Sequence, residues 1–348
     1  MYAKLLSYLF LRVRKKILEK KKGPISFLLW VSSFFFAAAT WIHRRFYTAF
    51  PRFSYTSSSF VISIGSPIAG GRGKTPFTLF LLSLLPQDSC AVLSRGYLST
   101  AESSNAIIPP FLIDPEKYGD EPSLIAKNYP KAMVIVGKNR AKSAKIAEAH
   151  HKKLLILDDG MQHRKLQKNI EIILLKASDL HEKLYYLPRG FFREHLRQMK
   201  NADLLVIEGE SFDEKALRKY TKAPIVLWKK ELKKPIFPPN LPFSKDVAVL
   251  TSIACPELFI DAVKKQGFSI KQERCLRDHA PISSSLLTSF WKKSRSQGAK
   301  CILCTEKDFI KLPKNCSIPV SYIPMSVKIH EGEAHLRRFV DELMCLFN

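Results

Sequence analysis

The residues best suited to chemistry lie in a glycine-rich stretch that ends in lysine and threonine. This stretch follows an apolar run, FVISI, and precedes a helical pattern, TPFTLFLLSLL. Glycines in such a turn let backbone N–H groups point at phosphate oxygens, and the helix that follows adds the positive end of its dipole. The stretch therefore predicts a phosphate-binding loop. Its predicted nucleotide contacts are Ile68, Ala69, Gly70, Gly71, Arg72, Gly73, Lys74 and Thr75.

The loop departs from the strict phosphate-binding pattern, which requires glycine where Ile68 stands. A glycine-rich turn that binds nothing is the alternative interpretation. The order strand, loop, Gly-Lys-Thr and helix favours a nucleotide site. In that site Lys74 would reach the outer phosphates and the Thr75 hydroxyl would bind Mg²⁺.

Two acids at the end of another apolar run are the candidates for further Mg²⁺ ligands. Asp158 and Asp159 close the run LLILDD. Acids at the carboxyl end of a parallel strand face the edge of the sheet where ligands bind. Strand-end aspartates also cap turns, but a phosphate-binding loop earlier in the chain favours the metal role. The predicted metal ligands are Thr75, Asp158 and Asp159.

Short apolar runs alternate with helical patterns from Phe60 onward, which predicts an α/β fold with a largely parallel sheet. Strands are expected within 60–64, 90–97, 131–140, 153–160, 170–176 and 202–209. Residues 228–245 are rich in proline and lysine and predict a linker. A second α/β run begins at 246, with strands within 246–253 and 299–308. The predicted division is 1–48, 49–240 and 241–348.

The N-terminal segment, 1–48, combines basic and apolar stretches. Residues 1–24 carry eight Lys or Arg side chains against one acid, and the 18 residues from Ile25 to Ile42 carry no charge. That length lies at the lower limit for a membrane span. A buried core helix and a signal peptide are the alternatives. Basic residues on both flanks favour a monotopic anchor on an anionic leaflet, and a single N-terminal spanning helix remains open.

The charge of the whole chain indicates an anionic partner. Among 348 residues, 56 Lys and Arg face 31 Asp and Glu, for a net charge of +25. A nucleic acid, an acidic membrane surface or a phosphorylated substrate would fit. No recognised nucleic-acid motif is visible, and much of the charge flanks the apolar segment, so we expect an anionic lipid surface and no nucleic acid. The seven scattered cysteines are typical of reduced thiols, and Cys301 and Cys304 are expected to be core residues.

A set of motifs resembles the tetraacyldisaccharide 4'-kinase family. In chain order they are IGSPIAGGRGKTP, LSRGY, GDEPSLIA, VIVGKNR, LDDGMQHRKL, LPRGFFREHL, RDHAP and CTEKDFIKL. The resemblance implies a P-loop kinase-like parallel sheet domain, a smaller C-terminal α/β domain and an N-terminal membrane-associating helix. It implies transfer of the ATP γ-phosphate, with Mg²⁺, to the 4'-hydroxyl of a tetraacyldisaccharide 1-phosphate in lipid A biosynthesis. The expected location is the cytoplasmic face of the inner membrane of a Gram-negative-type bacterium, with no obligate protein partner.

The resemblance also implies roles for five side chains. Asp120 would be the catalytic base, and His279 would cross from the second domain to orient it. Arg193 would neutralise phosphate charge, with a solvated basic face as the alternative. Glu121 would contact the substrate or support the base, and His163 would face the substrate or support the Mg²⁺ ligands. From the residues alone, Asp120 fits a helix N-cap equally well and His279 an ordinary surface histidine.

The sequence also departs from the family pattern, whose loop resembles G-N-x-[TS]-x-G-G-x-G-K-T. Ser66 and Ile68 replace the asparagine and the hydroxyl residue, Met161 replaces a usual phenylalanine, and Ala280 replaces a histidine. Another membrane-associated P-loop NTPase is the alternative function. A GTPase is disfavoured because the guanine-binding pattern N-K-x-D is lacking.

Overall fold

Two β-sheets organise the chain, and a long apolar helix precedes them. The computed structural model describes residues 23–97, 99–180, 185–238, 243–313 and 316–347. The stretch LLSYLFLRVRKKILEK, whose amphipathic pattern predicts a cationic interfacial helix, falls within residues 1–22 and lies outside the described residues.

The strands and helices follow one another in the alternating order that the sequence predicts. The strands are β1 (Phe60–Gly65), β2 (Cys90–Ser94), β3 (Ala106–Ile107), β4 (Met133–Val136), β5 (Leu154–Asp158), β6 (Ile170–Lys176), β7 (Leu204–Glu208), β8 (Ile225–Leu232), β9 (Asp246–Thr251), β10 (Ser269–Cys275), β11 (Cys301–Thr305), β12 (Val320–Ile323) and β13 (Met325–Glu331). The helices are α1 (Pro24–Ala49), α2 (Lys74–Ser83), α3 (Pro115–Tyr118), α4 (Asp120–Asn128), α5 (Arg140–Ala149), α6 (Glu214–Arg218), α7 (Pro256–Lys265), α8 (Ser284–Ser296), α9 (Glu306–Phe309) and α10 (Glu333–Met344). Short 3₁₀ turns lie at Pro51–Phe53, Gln87–Ser89, Thr100–Ser103, Ala177–Leu180 and Leu196–Asn201.

The first sheet has nine strands in the order β13-β8-β7-β6-β1-β5-β2-β4-β3. Its strands are parallel except at the two edges, where β13 and β3 pair antiparallel with their neighbours. The central strands are continuous runs of valine, isoleucine and leucine because helices and loops bury both faces of the sheet. The predicted parallel α/β sheet is confirmed.

The second sheet has four parallel strands in the order β10-β9-β11-β12. Its centre is apolar, and Cys301 and Cys304 are buried there as free thiols, as the sequence predicts. Burial raises the pKa of both thiols, so they stay protonated.

The predicted linker is partly wrong, because residues 228–232 belong to strand β8. Trp228 is fully buried in that strand, whereas Lys229, Lys230 and Glu231 lie along its more exposed half. Lysines near a sheet edge protect it from unwanted pairing, so a lysine-rich stretch can still be a strand. Strand β13 also returns to pair with β8, which places residues from 325 onward with the first sheet, although the predicted division assigns 241–348 to the second domain.

Helix α1 carries the apolar N-terminal segment and leaves most of it exposed. It has 26 residues, is long and apolar enough by length and composition to cross a membrane, and only 6 % of its most apolar window is buried. Ser33 is the buried residue of this helix. Its hydroxyl donates a hydrogen bond to the Tyr186 carbonyl (2.9 Å) and accepts one from the Arg189 N–H (3.1 Å). The helix therefore contacts the first domain along one narrow line.

A buried aspartate ties the strands of the second sheet together. The fully buried carboxylate of Asp308 accepts hydrogen bonds from Thr251 (2.9 Å) and Thr305 (2.7 Å), which end β9 and β11. Ser252 donates through its N–H at 3.1 Å, and Lys311 forms an ion pair at 2.8 Å. Burial raises the pKa of Asp308, but Lys311 and the hydroxyl donors outweigh it and hold that pKa below its usual value.

We expect Asp308→Ala to lower the free energy of unfolding of the second domain by about 3–5 kcal/mol, because it leaves Lys311 buried without its closest carboxylate. Urea denaturation in detergent checks this, with Asp261→Ala on exposed α7 as the control, expected within about 0.5 kcal/mol of the parent. Since the folded pKa of Asp308 is depressed, its stabilisation is present above the unfolded pKa and is lost as pH falls through the folded pKa. The gap between variant and parent should therefore narrow in acid. An equal effect from both substitutions would contradict the anchoring role.

Candidate functional site

The phosphate-binding loop joins β1 to α2 and depends on a glycine at its last turn. Gly73 caps α2 with a left-handed φ of 74°, and no side chain caps the helix. A Cβ on Gly73 would lie 2.5 Å from the ring of Trp228, so both backbone and packing require glycine. The first turn of α2 contains no acid, and its N–H groups open toward the loop. This is the geometry of an anion site at a helix N-terminus.

The predicted nucleotide contacts divide into two groups. The N–H of Ile68 donates to Ser66 Oγ (3.2 Å) and that of Ala69 donates to the Phe191 carbonyl (2.7 Å), so both are already used within the fold. The side chain of Arg72 is bound elsewhere, because its guanidinium forms two hydrogen bonds of 2.9 and 2.7 Å with buried Asp179. The geometry supports a phosphate cradle that begins at Gly70.

Core packing explains the departures at the start of the loop. Ile68 is fully buried and belongs to one apolar cluster with Met161 and Phe192. An apolar side chain at 68 and the slimmer methionine at 161 fill this space together, in place of the hydroxyl residue and phenylalanine of the family pattern. Ser66 is buried and hydrogen-bonds within the turn. The departures at Ser66 and Ile68 therefore alter packing beneath the loop.

The two acids lie beside the loop because β5 pairs directly with β1. Ile64 is opposite Asp158 in this parallel register. The next residue, Asp159, has a left-handed φ of 56° and approaches Lys74 at 3.5 Å. Arg193 Nη1 contacts both oxygens of Asp159, at 2.9 and 2.8 Å. Burial raises the pKa of Asp159, but Lys74 and Arg193 outweigh it and keep that pKa below its usual value. Asp159 therefore holds both cations at the loop.

Asp158 has a different environment, and it fits a divalent cation. Burial, together with the negative charges of Glu121 and Asp159, raises the pKa of Asp158 to about 7. Its closest hydroxyl, Thr78 Oγ1, lies 3.5 Å away. A buried carboxylate among other acids, with the Thr75 hydroxyl at the start of α2, is a hard oxygen set of the kind that Mg²⁺ prefers. Within the described ranges, His, Cys, Asp and Glu form no group of three or more that could hold a metal alone, and Mg²⁺ usually needs only one or two carboxylates besides phosphates.

Asp120 and His279 meet across the two domains. Asp120 begins α4 on the first domain, and His279 lies after β10 on the second, with His279 Nδ1 2.8 Å from Asp120 Oδ2. The N-cap position of α4 belongs to Gly119, and no side chain caps the helix. The Asp120 carboxylate therefore faces the histidine, and the capping alternative is wrong.

Lysines surround this pair and set its charge. Lys307 Nζ lies 3.2 Å from His279 Nε2, so Nε2 accepts while Nδ1–H donates to Asp120. Lys311 Nζ lies 3.8 Å from Asp120. Burial raises the pKa of Asp120, but the hydrogen bond from His279 and the charges of Lys311 and Lys307 outweigh it and lower that pKa. The carboxylate is thus ionised at neutral pH and can accept a proton.

The remaining predicted site residues are less closely joined to this pair. Glu121 follows Asp120 and lies near enough to Asp158 to raise its pKa. His163 lies just after the two acids, and its buried Nε2 has no hydrogen-bond partner in the described part of the chain. Burial, with the charges of nearby cations, lowers the pKa of His163 to about 3, so the ring is neutral.

Sequence reasoning missed three functional contacts: Arg140, Lys311 and Asp179. Arg140 begins α5, is buried, and its charge acts on both Asp158 and Asp159. Arg140 and Lys311 stand in the motifs VIVGKNR and CTEKDFIKL. The signal for them was therefore present, but it did not specify what each side chain touches. Asp179 had no such signal.

Comparison with known proteins agrees with this geometry. The sequence model of the tetraacyldisaccharide-1-P 4'-kinase family matches residues 25–345. The tetraacyldisaccharide 4'-kinase of Chlamydia caviae is 33 % identical over 298 residues, which cover 81 % of this chain and 79 % of that protein. The enzyme of the same name from Koribacter versatilis is 32 % identical over 293 residues, covering 80 % and 88 %.

A solved structure has the same fold. The crystal structure of LpxK from Aquifex aeolicus in complex with ATP superimposes with a TM-score of 0.73 at 26 % identity, and the match covers 97 % of this chain and 100 % of that one. Family match, relatives and fold agree over four fifths of the chain or more. The chain belongs to the tetraacyldisaccharide-1-P 4'-kinase family.

Proposed function

We propose that this chain transfers the γ-phosphate of ATP to the 4'-hydroxyl of a tetraacyldisaccharide 1-phosphate, which gives the 1,4'-bisphosphate of lipid A biosynthesis. The observation that carries the proposal is the Asp120–His279 pair, which joins the domain that carries the phosphate-binding loop to the second domain. In the transfer, the 4'-oxygen forms a bond to the γ-phosphorus, the bond to the ADP oxygen breaks, and Asp120 takes the hydroxyl proton. His279 Nδ1–H orients the accepting carboxylate.

Binding of ATP falls to the cradle from Gly70 to Thr75 and the N-terminus of α2. Lys74 reaches the outer phosphates, and Asp159 holds it and Arg193 in place. Asp158 and Thr75 would hold Mg²⁺, which neutralises phosphate charge when bound. The positive charge of Arg140 acts on the negative charges of Asp158 and Asp159. The raised pKa of Asp158 supports this assignment, since a cation there relieves the repulsion among the acids.

Helix α1 is proposed to hold the enzyme at the membrane that contains its lipid substrate. Its exposed large side chains include Phe27, Trp30, Phe34, Phe35 and Trp41, each about half exposed or more. Aromatic residues favour the interface between lipid and water, and the net charge of +25 suits an anionic cytoplasmic leaflet. The cytoplasmic face of the inner membrane is the proposed location, and no obligate protein partner is proposed.

Asp120→Asn should lower kcat by roughly 100-fold or more, because the amide cannot accept the hydroxyl proton. Binding of ATP should persist, since Asp120 lies outside the cradle. Phosphorylation of tetraacyldisaccharide 1-phosphate in mixed micelles measures the first effect, and ATP titration measures the second. Asp88→Asn, an exposed change on the same domain, should leave turnover at the parent rate. Normal turnover in Asp120→Asn would remove this residue from the mechanism.

The acid limb of kcat/KM against pH should move to higher pH in His279→Ala. Activity needs ionised Asp120 and is lost as pH falls through its pKa. The hydrogen bond from His279 is the strongest of the interactions that lower that pKa, so its removal lets burial raise it. The profile of His150→Ala, which changes an exposed histidine, should match the parent. An unmoved limb in His279→Ala would show that the pair does not control this ionisation.

Gly73→Ala should weaken ATP binding by at least about 10-fold, since the new Cβ meets Trp228 in a left-handed backbone and displaces the loop. Gly71→Ala is the matched comparison, because a Cβ there meets nothing within 4 Å and φ is ordinary. Its loss of affinity should be clearly smaller. Isothermal titration with ATP and Mg²⁺ measures both, and equal losses would contradict the steric argument.

A further inference from the structure

A lysine on α4 sits between two aromatic rings of the second domain. Lys127 Nζ lies 4.7 Å from the ring centroid of Phe309 and 4.5 Å from that of Tyr322. The two rings pack against each other with centroids 4.4 Å apart. This aromatic seat comes from α9 and β12, whereas Lys127 comes from the first domain. The contact therefore crosses the domain boundary.

The environment of this ammonium group is unusual for a lysine. Its Nζ is shielded from solvent and has no hydrogen-bond partner in the ranges that the structure describes. A buried charge without partners costs free energy. Two features compensate: the negative charge of nearby Glu306 acts on this ammonium, and a cation over an aromatic face is attracted to its quadrupole, most strongly where water is excluded.

The same helix carries the catalytic carboxylate at its other end. Asp120 begins α4, and Lys127 lies in its last turn. Beside the seat, Asn128 Nδ2 donates to Glu306 Oε1 at 3.0 Å, which adds a second bond between α4 and α9. At the first turn of α4, Lys311 from the second domain lies 3.8 Å from Asp120. Helix α4 is thus held by the second domain at both ends.

Phe309 also connects the seat to the buried anchor of the second domain. It directly follows Asp308, whose carboxylate holds Lys311 and the ends of β9 and β11. The position of the seat is therefore fixed relative to the loop that carries His279, whose N–H donates to the Ser252 carbonyl at 3.2 Å. A shift of Lys127 off the seat would displace Asp120 from His279.

We propose that Lys127 is a positioning residue: its ammonium, seated on Phe309 and Tyr322, sets the register in which Asp120 of the first domain meets His279 of the second. The catalytic consequence rests on the proposed function, whereas the register itself does not. Lys127 touches no reacting group, so its effect falls on kcat. The loop that binds ATP lies elsewhere, so KM for ATP is unaffected.

Two measurements on the full chain in detergent micelles test this. In the first, spin labels at Lys142→Cys and Lys292→Cys, both exposed, report the distance between the domains in a background with exposed cysteines changed to serine. Lys127→Met keeps the stem and removes the charge, and it should broaden or shift the distance distribution. Lys127→Arg should restore it, because guanidinium also stacks on aromatic rings. Phe309→Leu should act as Lys127→Met does.

In the second measurement, Lys127→Met should lower kcat by about 10- to 100-fold, the cost of a misplaced reacting group, with KM for ATP within about twofold of the parent. The matched control is Lys131→Met, just beyond α4, whose side chain is 70 % exposed. It should change neither readout.

An unchanged distance distribution in both Lys127→Met and Phe309→Leu would overturn the proposal, as would parent kcat in a Lys127→Met protein whose distribution has broadened. If the parent chain has no kinase activity, the proposed function fails, and the distance measurement still decides whether the seat sets the register.

Discussion

The hydrogen bond between Asp120 and His279 joins two separate sheets, and the arrangement of the active site depends on it. Each sheet has its own buried apolar centre. Neither sheet alone holds both a phosphate cradle and an oriented base. The precision of the catalytic geometry therefore depends on how precisely the two domains are positioned relative to each other. That register in turn depends on contacts outside the catalytic pair.

The electrostatics of the first domain follow from the same edge of the sheet. Strands β1 and β5 are neighbours, so the phosphate-binding loop and the acids must share one space. The two adjacent aspartates have different environments. Asp159 is paired with Lys74 and Arg193 and stays ionised, while Asp158 is buried among acids and its pKa rises to about 7. Neighbouring residues in the chain thus acquire opposite pKa shifts, because Asp158 ends β5 whereas Asp159 leaves the strand with a left-handed φ and meets Lys74 and Arg193.

Much of the fold could be predicted from the sequence, since long apolar runs and glycine punctuation are local signals. The strand β8 could not, because its Lys229, Lys230 and Glu231 resemble a solvated linker until β13 pairs beside them. The family motifs indicated the site, because they assign Asp120 and His279 to the same catalytic step. Residues alone left Asp120 as a helix cap, since only the tertiary fold shows which partner its carboxylate meets. Arg140 and Lys311 escaped for the same reason: their motifs were visible, but only the fold shows what each cation contacts.

The return of β13 to the first sheet explains why a second interdomain contact is needed. The chain leaves the first sheet after Leu232 and comes back at Met325, and these two residues are directly opposite each other in the β8–β13 ladder. Both covalent connections therefore run side by side, which permits rotation of the second domain about one line. A few residues at such a crossing can absorb a change in the angle between the domains. The angle must be fixed away from that line, and the contact between α4 and α9 is placed to do so.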